Sequence, residues 1–370
     1  MKKEFDTVLI EEGVHKKSSQ LAALLKGRAG ERHAVILQDF PDPDAISCGY
    51  AYRCLVEQWG IEVDLLYGGR ISHQENIAMV NLLNISLIQY DADEIAPGRY
   101  QGSVFVDGQG TTSCLVERLQ RANVPVLIVV DHHAQQEGLQ PLFADIRPAV
   151  GACASIFVDY LREGIMPLVS SQEHRNLATA LMHGIISETA ALIEAQPVDF
   201  TAAAFLQPHC DRELLVEILH QQRSQKVMEV ISVALENRVI RSGFCITGVG
   251  YLRAADRDAL PQAADFLLTE ETVHTAIVFG IVQSDEKEEI HGSLRTTKLT
   301  ISPDQFLKET LGRMGSGSYY GGGKARAGGF EIPLGFLSGH DDAELSKLKW
   351  DTFKAKIQKK FFNKIGAEVM

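Results

Sequence analysis

Four short apolar runs, separated by segments of helical pattern, constrain this chain more than any other feature. "HAVIL" (33–37), "EVDLLY" (62–67), "SVFVD" (103–107) and "VPVLIVVD" (124–131) read as buried strands. "AISCGYAYRCLVEQWG" (45–60), "HQENIAMVNLLN" (73–84) and "TSCLVERLQRAN" (112–123) read as helices between them. Such alternation implies a mostly parallel sheet flanked by helices on both faces, an α/β domain. A more helical stretch follows, from about 152 to 237, with "ASIFVDYLREG" and "SQEHRNLATALMHGIISETAAL" as its clearest segments.

Near residue 238 the pattern changes. "VIRSGFCITGVGYL", "ETVHTAIVFGIVQ" and "IHGSLRTTKLTI" carry β-branched alternation, and a short helix over 303–313 precedes the Gly-rich "GSGSYYGGGKARAGGFEIP". This is a second, smaller α+β domain. The charged segment 214–238 reads as one helix linking the two. The last twenty-five residues place Trp350, Phe353, Ile357, Phe361 and Ile365 at near-helical spacing, with seven lysines mostly elsewhere. An amphipathic helix packed on the second domain, its lysines in solvent, is the expectation. The boundaries are therefore 15–213, 214–238, 239–345 and 346–370.

The 370 residues suffice for two domains with separate cores, and 45% hydrophobic against 23% charged is ordinary globular composition. A formal net charge of −12 argues against coating long nucleic acid through bulk electrostatics. The six cysteines are scattered without a C-x-x-C pair, so free thiols are expected, with neither a zinc knuckle nor a disulfide frame. No run has signal-peptide or membrane-spanning character, so the expectation is a cytoplasmic protein without a membrane partner.

Three of the strands end in acids. "VILQDFPDPDA" puts Asp39, Asp42 and Asp44 past the first, Asp107 ends the third, and the fourth runs into Asp131, His132 and His133. Ligands of open parallel sheets bind outside the carboxyl ends of strands. Converging carboxylates repel one another unless a cation neutralises them. Oxygen and imidazole donors suit divalent Mn²⁺ or Mg²⁺. A carboxylate between two ligand groups points to a two-metal site, with ions roughly 3.5–4 Å apart.

The order "FPDPDAIS", "VFVDG", "VVDHH", "GIISETAAL" and distal "GGGKARAGGF" resembles the DHH phosphoesterase family, in its branch with a C-terminal DHHA1 domain. That branch contains oligoribonuclease/pAp-phosphatase enzymes and RecJ-type exonucleases. The resemblance spans residues 15 to 340 and implies a DHH catalytic domain followed by a DHHA1-like substrate-binding domain. It implies that Asp42 and Asp44 each bind a different metal, that Asp107 bridges the two, and that His132 is a ligand. Glu188 stands at the fourth motif's acidic position. By the same likeness His133 faces the substrate phosphate and Asp131 holds an imidazole in its tautomer. Arg295 of "GSLRTT" and Gly321, Gly322 and Gly323 match substrate-binding elements. The implied cofactors are two divalent ions, Mn²⁺ ahead of Mg²⁺.

Three positions depart from the family pattern. Gln38 stands where oligoribonuclease-type members usually carry histidine, and a neutral amide is a poorer ligand, for which Asp39 could compensate. Glu188 replaces the usual aspartate, and Lys324 replaces the histidine closing the glycine motif. Lys324 keeps a cation for phosphate, while Arg326 is either a second substrate cation or a solvated side chain. Cys48 and Cys54 read as core, His183 as packed, and Tyr319 and Tyr320 as packing residues or base-stacking rings. The expected activity is hydrolysis of short single-stranded oligonucleotides, linear dinucleotides or 3′,5′-bisphosphorylated nucleosides. The alternatives are a nucleotide-binding regulatory protein with weak or lost catalysis, and a pyrophosphatase or polyphosphatase. Oligomeric state stays open, a homodimer included.

Overall fold

The computed structural model describes residues 14–71, 73–90, 94–284, 287–315, 317–324, 326–339 and 342–367. Residues 1–13, in which no signal peptide is expected, lie outside them. Two compact units divide between Gln221 and Gln222.

The first unit begins with α1 (Val14–Lys26) and then alternates β1 (Arg32–Ile36), α2 (Pro43–Glu57), β2 (Glu62–Tyr67), α3 (Gln74–Leu82) and β3 (Ile88–Gln89). It continues with β4 (Gly102–Val106), α4 (Leu115–Arg121), β5 (Val126–Asp131) and β6 (Phe143–Ile146). Helices α5 (Cys153–Arg162), α6 (Gln172–Glu188), α7 (Pro197–Leu206) and α8 (Arg212–Leu219) complete it. The sheet order is β3-β2-β1-β4-β5-β6, with every pairing parallel. Alternating side chains serve two cores. Val35, Val104, Val106, Ile128 and Val130 pack towards α2, α5 and α6, while Ala34, Ile36, Phe105 and Val129 pack with Leu115 and Leu119 of α4.

The order matters for function. From β1 the chain winds outward to β2 and β3, then returns to lay β4 against the other side of β1, with Ile36 beside Phe105. Connections leaving β1 and β4 diverge there, which opens a crevice at their carboxyl ends. The loops after β1 and β4 are those carrying Gln38 to Asp44 and Asp107.

The second unit holds α9 (Gln225–Asn237), β7 (Val239–Arg241), β8 (Phe244–Arg253), α10 (Ala259–Leu267), β9 (Thr275–Gln283) and β10 (Glu288–Thr296). Then come α11 (Pro303–Leu311), β11 (Gly321–Gly323), β12 (Ala327–Pro333) and α12 (Ala343–Lys364). Its sheet runs β11-β12-β10-β9-β8-β7, antiparallel except for β8–β9. Period-two alternation again splits the core. Ala276 and Val278 face Val230, Ala263 and Leu267 of α9 and α10, whereas Ile277, Phe279 and Ile281 face Leu307, Ile357 and Phe361 of α11 and α12.

Several expectations are corrected. The linker 214–238 is two helices, because Ser224 caps a new one by accepting from Val227 N at 3.3 Å. The second of these, α9, belongs to the second unit. The glycine run forms an edge strand: Gly321, Gly322 and Gly323 pair with Phe330, Gly329 and Gly328. A Cβ at Gly323 would meet Ala327 O at 2.4 Å, so close backbone approach requires glycine there. The terminal helix starts at Ala343 and packs as expected through Ile357, Phe361 and Phe362, but Lys349 is not solvated. Its Nζ is buried and pairs with Glu288 Oε2 at 2.5 Å.

Candidate active site

Asp107 follows β4 directly, with φ of 51°. Aspartate is among the few residues that tolerate this left-handed conformation, and it turns the carboxylate back over the strand end. The side chain is 1% exposed, and Gln38 Nε2 donates to its Oδ2 and to its carbonyl, each at 3.1 Å. Oδ1 has no hydrogen-bond partner. Burial raises this carboxyl well above the ordinary value, and the charges of Asp44, Asp42, Glu188 and Asp131 raise it further.

His132 and His133 lie just past β5, where the backbone can send both rings to one place, with centroids 4.3 Å apart. His132 Nδ1 is 3.2 Å from Val150 O, which fixes the proton on that nitrogen. Nε2 is therefore a bare acceptor. It lies 3.4 Å from Asp107 Oδ1 and 3.6 Å from Glu188 Oε1, and it too is buried without a hydrogen bond. Two acceptors facing each other across 3.4 Å repel unless a proton or a metal cation lies among them. His133 Nδ1 lies 2.8 Å from Asp131 Oδ1, which also accepts from the His133 amide at 3.1 Å. Burial pushes the Asp131 carboxyl up, but hydrogen bonds from His133 and Gln109 outweigh it, and the group ends below its ordinary value.

Asp42 caps α2, its Oδ1 accepting from Ala45 N at 2.9 Å. Asp44 is fully buried and accepts from Cys153 N and Ala154 N, at 2.7 and 2.8 Å, at the start of α5. Burial is the main reason its carboxyl is pushed up to about 7; Asp42 and Glu188 add to that, and His132 opposes it. Glu188 ends α6. Beyond it Ala190, Ala191 and Leu192 are successively left-handed, with φ of 49°, 58° and 69°. Such residues cost roughly 1–2 kcal/mol each. Ala191 N donating to Ile186 O at 2.8 Å and Glu194 N donating to Thr189 O at 2.9 Å hold the turn. The strain stops the helix at the residue that faces His132.

Ligand atoms of Asp107, Asp131, His132 and His133 all lie within 4.8 Å of one another. Oxygen and nitrogen donors, a bare imidazole nitrogen and an unpartnered buried carboxylate oxygen fit a divalent cation. Gln38 Nε2 donates to Asp107, an arrangement the sequence did not suggest. Both oxygens of Asp39 accept from Cys114 N, at 3.0 and 3.2 Å, before α4. Cys48 and Cys54 are buried core, as expected. His183 is packed between α6 and α3, with Nδ1 3.3 Å from Met79 Sδ. Sequence reasoning missed Gln109, although it lies two residues past Asp107. Its Nε2 donates to Asp131 Oδ2 at 2.7 Å and its Oε1 accepts from Gln136 N at 2.7 Å.

The second unit carries a groove of about 600 Å³, lined in part by Arg295, Gly321, Gly322, Gly323 and Lys324. Arg295 Nε pairs with Asp265 Oδ1 at 3.0 Å and its guanidinium donates to Ser293 Oγ at 3.0 Å. Lys324 and Arg326 are exposed near the tip of the β11–β12 hairpin, closed by Lys324 N donating to Ala327 O at 2.8 Å. Gly323 N donates to Asp304 Oδ1 at 3.2 Å, so that amide is already engaged. Tyr319 is exposed with the Arg313 guanidinium 4.2 Å from its ring centroid, while Tyr320 packs on the core.

Residues 247–356 match the model of the DHHA1 domain. The whole chain also resembles the crystal structure of an exopolyphosphatase-related protein from Bacteroides fragilis, with a TM-score of 0.66 and 13% identity over 95% of this chain and 99% of that one. The second unit thus carries a DHHA1 domain, and the whole chain shares the fold of that exopolyphosphatase-related protein. The Asp-His-His segment stands at the carboxyl end of β5 in the first unit. An uncharacterized protein of Methanocaldococcus jannaschii is 38% identical to this chain over 320 residues, which is 86% of the chain and 61% of that protein. The chain thus spans about three-fifths of the relative's length. Among the described residues, no helix is long and apolar enough to cross a membrane.

Proposed function

We propose that this chain is a DHH-family enzyme and hydrolyses phosphoester bonds of short oligonucleotides, linear dinucleotides or 3′,5′-bisphosphorylated nucleosides with two divalent ions, Mn²⁺ or Mg²⁺. One observation carries the reading: Asp107 Oδ1 and His132 Nε2, both buried and without a hydrogen bond, face each other at 3.4 Å. Asp42, Asp44, Asp107, His132 and Glu188 would hold the ions. When bound, these supply an activated water and Lewis-acid stabilisation of the phosphoryl oxygens.

The chain's own residues do the rest. The Val150 carbonyl keeps the His132 proton on Nδ1 and so presents Nε2 as a donor of electrons. Asp131, itself fixed by Gln109, keeps a proton on His133 Nδ1 and orients a ring that is 32% exposed. His133 Nε2 is then the atom that can hold or pass a proton at the phosphoryl group. In the second unit Arg295 and Lys324 supply charge for a substrate phosphate. A groove of about 600 Å³ exceeds what pyrophosphate needs, which favours a nucleotide over the pyrophosphatase reading.

The test is phosphate or mononucleotide release from dinucleotides, a bisphosphorylated nucleoside and pyrophosphate, each with Mn²⁺ and with Mg²⁺. Turnover of the nucleotides is expected. Binding without turnover under either metal would leave the regulatory alternative instead.

A further inference from the structure

One end of the second unit's groove is not used by the reading above. Arg257, after β8, donates from Nη2 to Glu331 Oε1 at 3.2 Å. His291 Nδ1 lies 3.3 Å from the same oxygen, and its Nε2 lies 3.3 Å from Glu289 Oε2. The strand register brings this about, since His291 and Glu331 are direct partners across β10 and β12. Arg257, His291 and Glu331 all line the groove that also holds Arg295 and the glycine strand. The His291 side chain is 8% exposed, while that of Glu331 is 53% exposed. The carboxylate is thus held by a buried imidazole and a guanidinium, and stays open to whatever enters.

A carboxylate fixed in this way can accept two N–H groups side by side. Of the four nucleobases, only guanine offers two adjacent donors on its pairing edge, N1–H and N2–H. Adenine and cytosine put an acceptor lone pair beside their amino group, and uracil flanks one N–H with two carbonyls; a carboxylate repels each of these. Arg257, next to Glu331, can donate to guanine O6 or N7, the contact arginine makes most readily with this base.

We propose that Arg257, His291 and Glu331 form a guanine-reading end of the groove, so that the preferred substrates are short nucleotides carrying guanine. The proposal rests on the nucleotide reading given above and goes beyond it in naming the base and the residues that select it. Glu331 would read the base, and His291 would act as a positioning residue behind it.

Calorimetric titration of the full chain with pGpG, pApA, pCpC and pUpU in EDTA tests it, beside hydrolysis of the same four with Mn²⁺. pGpG should bind roughly ten- to a hundredfold more tightly than the others. Glu331→Gln replaces one acceptor by a donor and should erase that preference, lowering affinity for pGpG and raising that for pApA, whose amino donor and ring acceptor match an amide. Arg257→Ala, at a partly exposed position, should shrink the preference even if Glu331→Gln folds poorly. A merely structural role would lower all four affinities alike and overturn the proposal. Equal binding of the four by the unaltered chain, with hydrolysis intact, would overturn it and leave the phosphoesterase reading standing. Neither binding nor hydrolysis of any of them would sink both.

Discussion

The carboxyl edge of the first unit's sheet and the open groove of the second are both polar, yet they are built in opposite ways. At the first, Asp44, Asp107 and Asp131 are essentially buried, and each is fixed by amide or imidazole donors from a different loop or helix. Two buried polar atoms there, Asp107 Oδ1 and His132 Nε2, have no hydrogen bond. In the groove the charged groups are partly exposed and already paired, Arg295 with Asp265 and Arg257 with Glu331. A reacting phosphoryl group requires ligands held tightly in advance, because misplacement of about 1 Å can cost roughly a hundredfold in rate. Recognition of the rest of a substrate tolerates partners that exchange one ion pair for another.

The sharpest break of this contrast is Asp107→Ala. It removes the carboxylate facing both His132 and Gln38, so turnover should fall by several orders of magnitude while the fold persists. Steady-state kinetics with circular dichroism checks both halves; near-normal activity would end the metal reading.

A smaller effect concerns pH in the metal-free chain. Burial disfavours the charge of Asp44 and pushes its carboxyl up to about 7, against 3.8 for an unburied aspartate. A raised acid stabilises the fold fully below the unfolded value and loses that contribution as pH rises through the folded one. The melting temperature in EDTA should therefore fall between about pH 4 and pH 7, and Mn²⁺ should flatten the fall. Thermal melts across that window with and without Mn²⁺ decide it; identical slopes would mean that no cation compensates the buried charge.

In the groove, Arg295→Ala should mainly raise KM for a dinucleotide, by roughly 1.5–3 kcal/mol for one charge-assisted contact, with kcat little changed. Lys324→Ala should do the same more weakly. An exposed cation near a hairpin tip is solvent-screened, so about 1 kcal/mol or less is expected. Dinucleotide kinetics on both variants ranks them. If Lys324→Ala costs more than Arg295→Ala, the lysine folds over the substrate and the groove is less preformed than its ion pairs imply.

The sequence by itself determined the alternating α/β unit, the second sheet and the strand ends bearing Asp42, Asp44, Asp107 and Asp131 to His133. Each of these is local: an apolar run sets the strand, and the polar residue that follows must emerge at its end. The same locality hid Ser224 as a cap inside a charged stretch and left the glycine strand unseen, since glycine has no side chain to reveal alternation. Only the tertiary structure decided that β1 and β4 are neighbours, which brings Gln38 to Asp107 across 69 positions of sequence. It also decided that the first amides of α5 receive Asp44 and that Gln109 braces Asp131. Those contacts arise from the sheet order and the packing of α5 over the strands, and such long-range closure leaves no periodic trace in the chain.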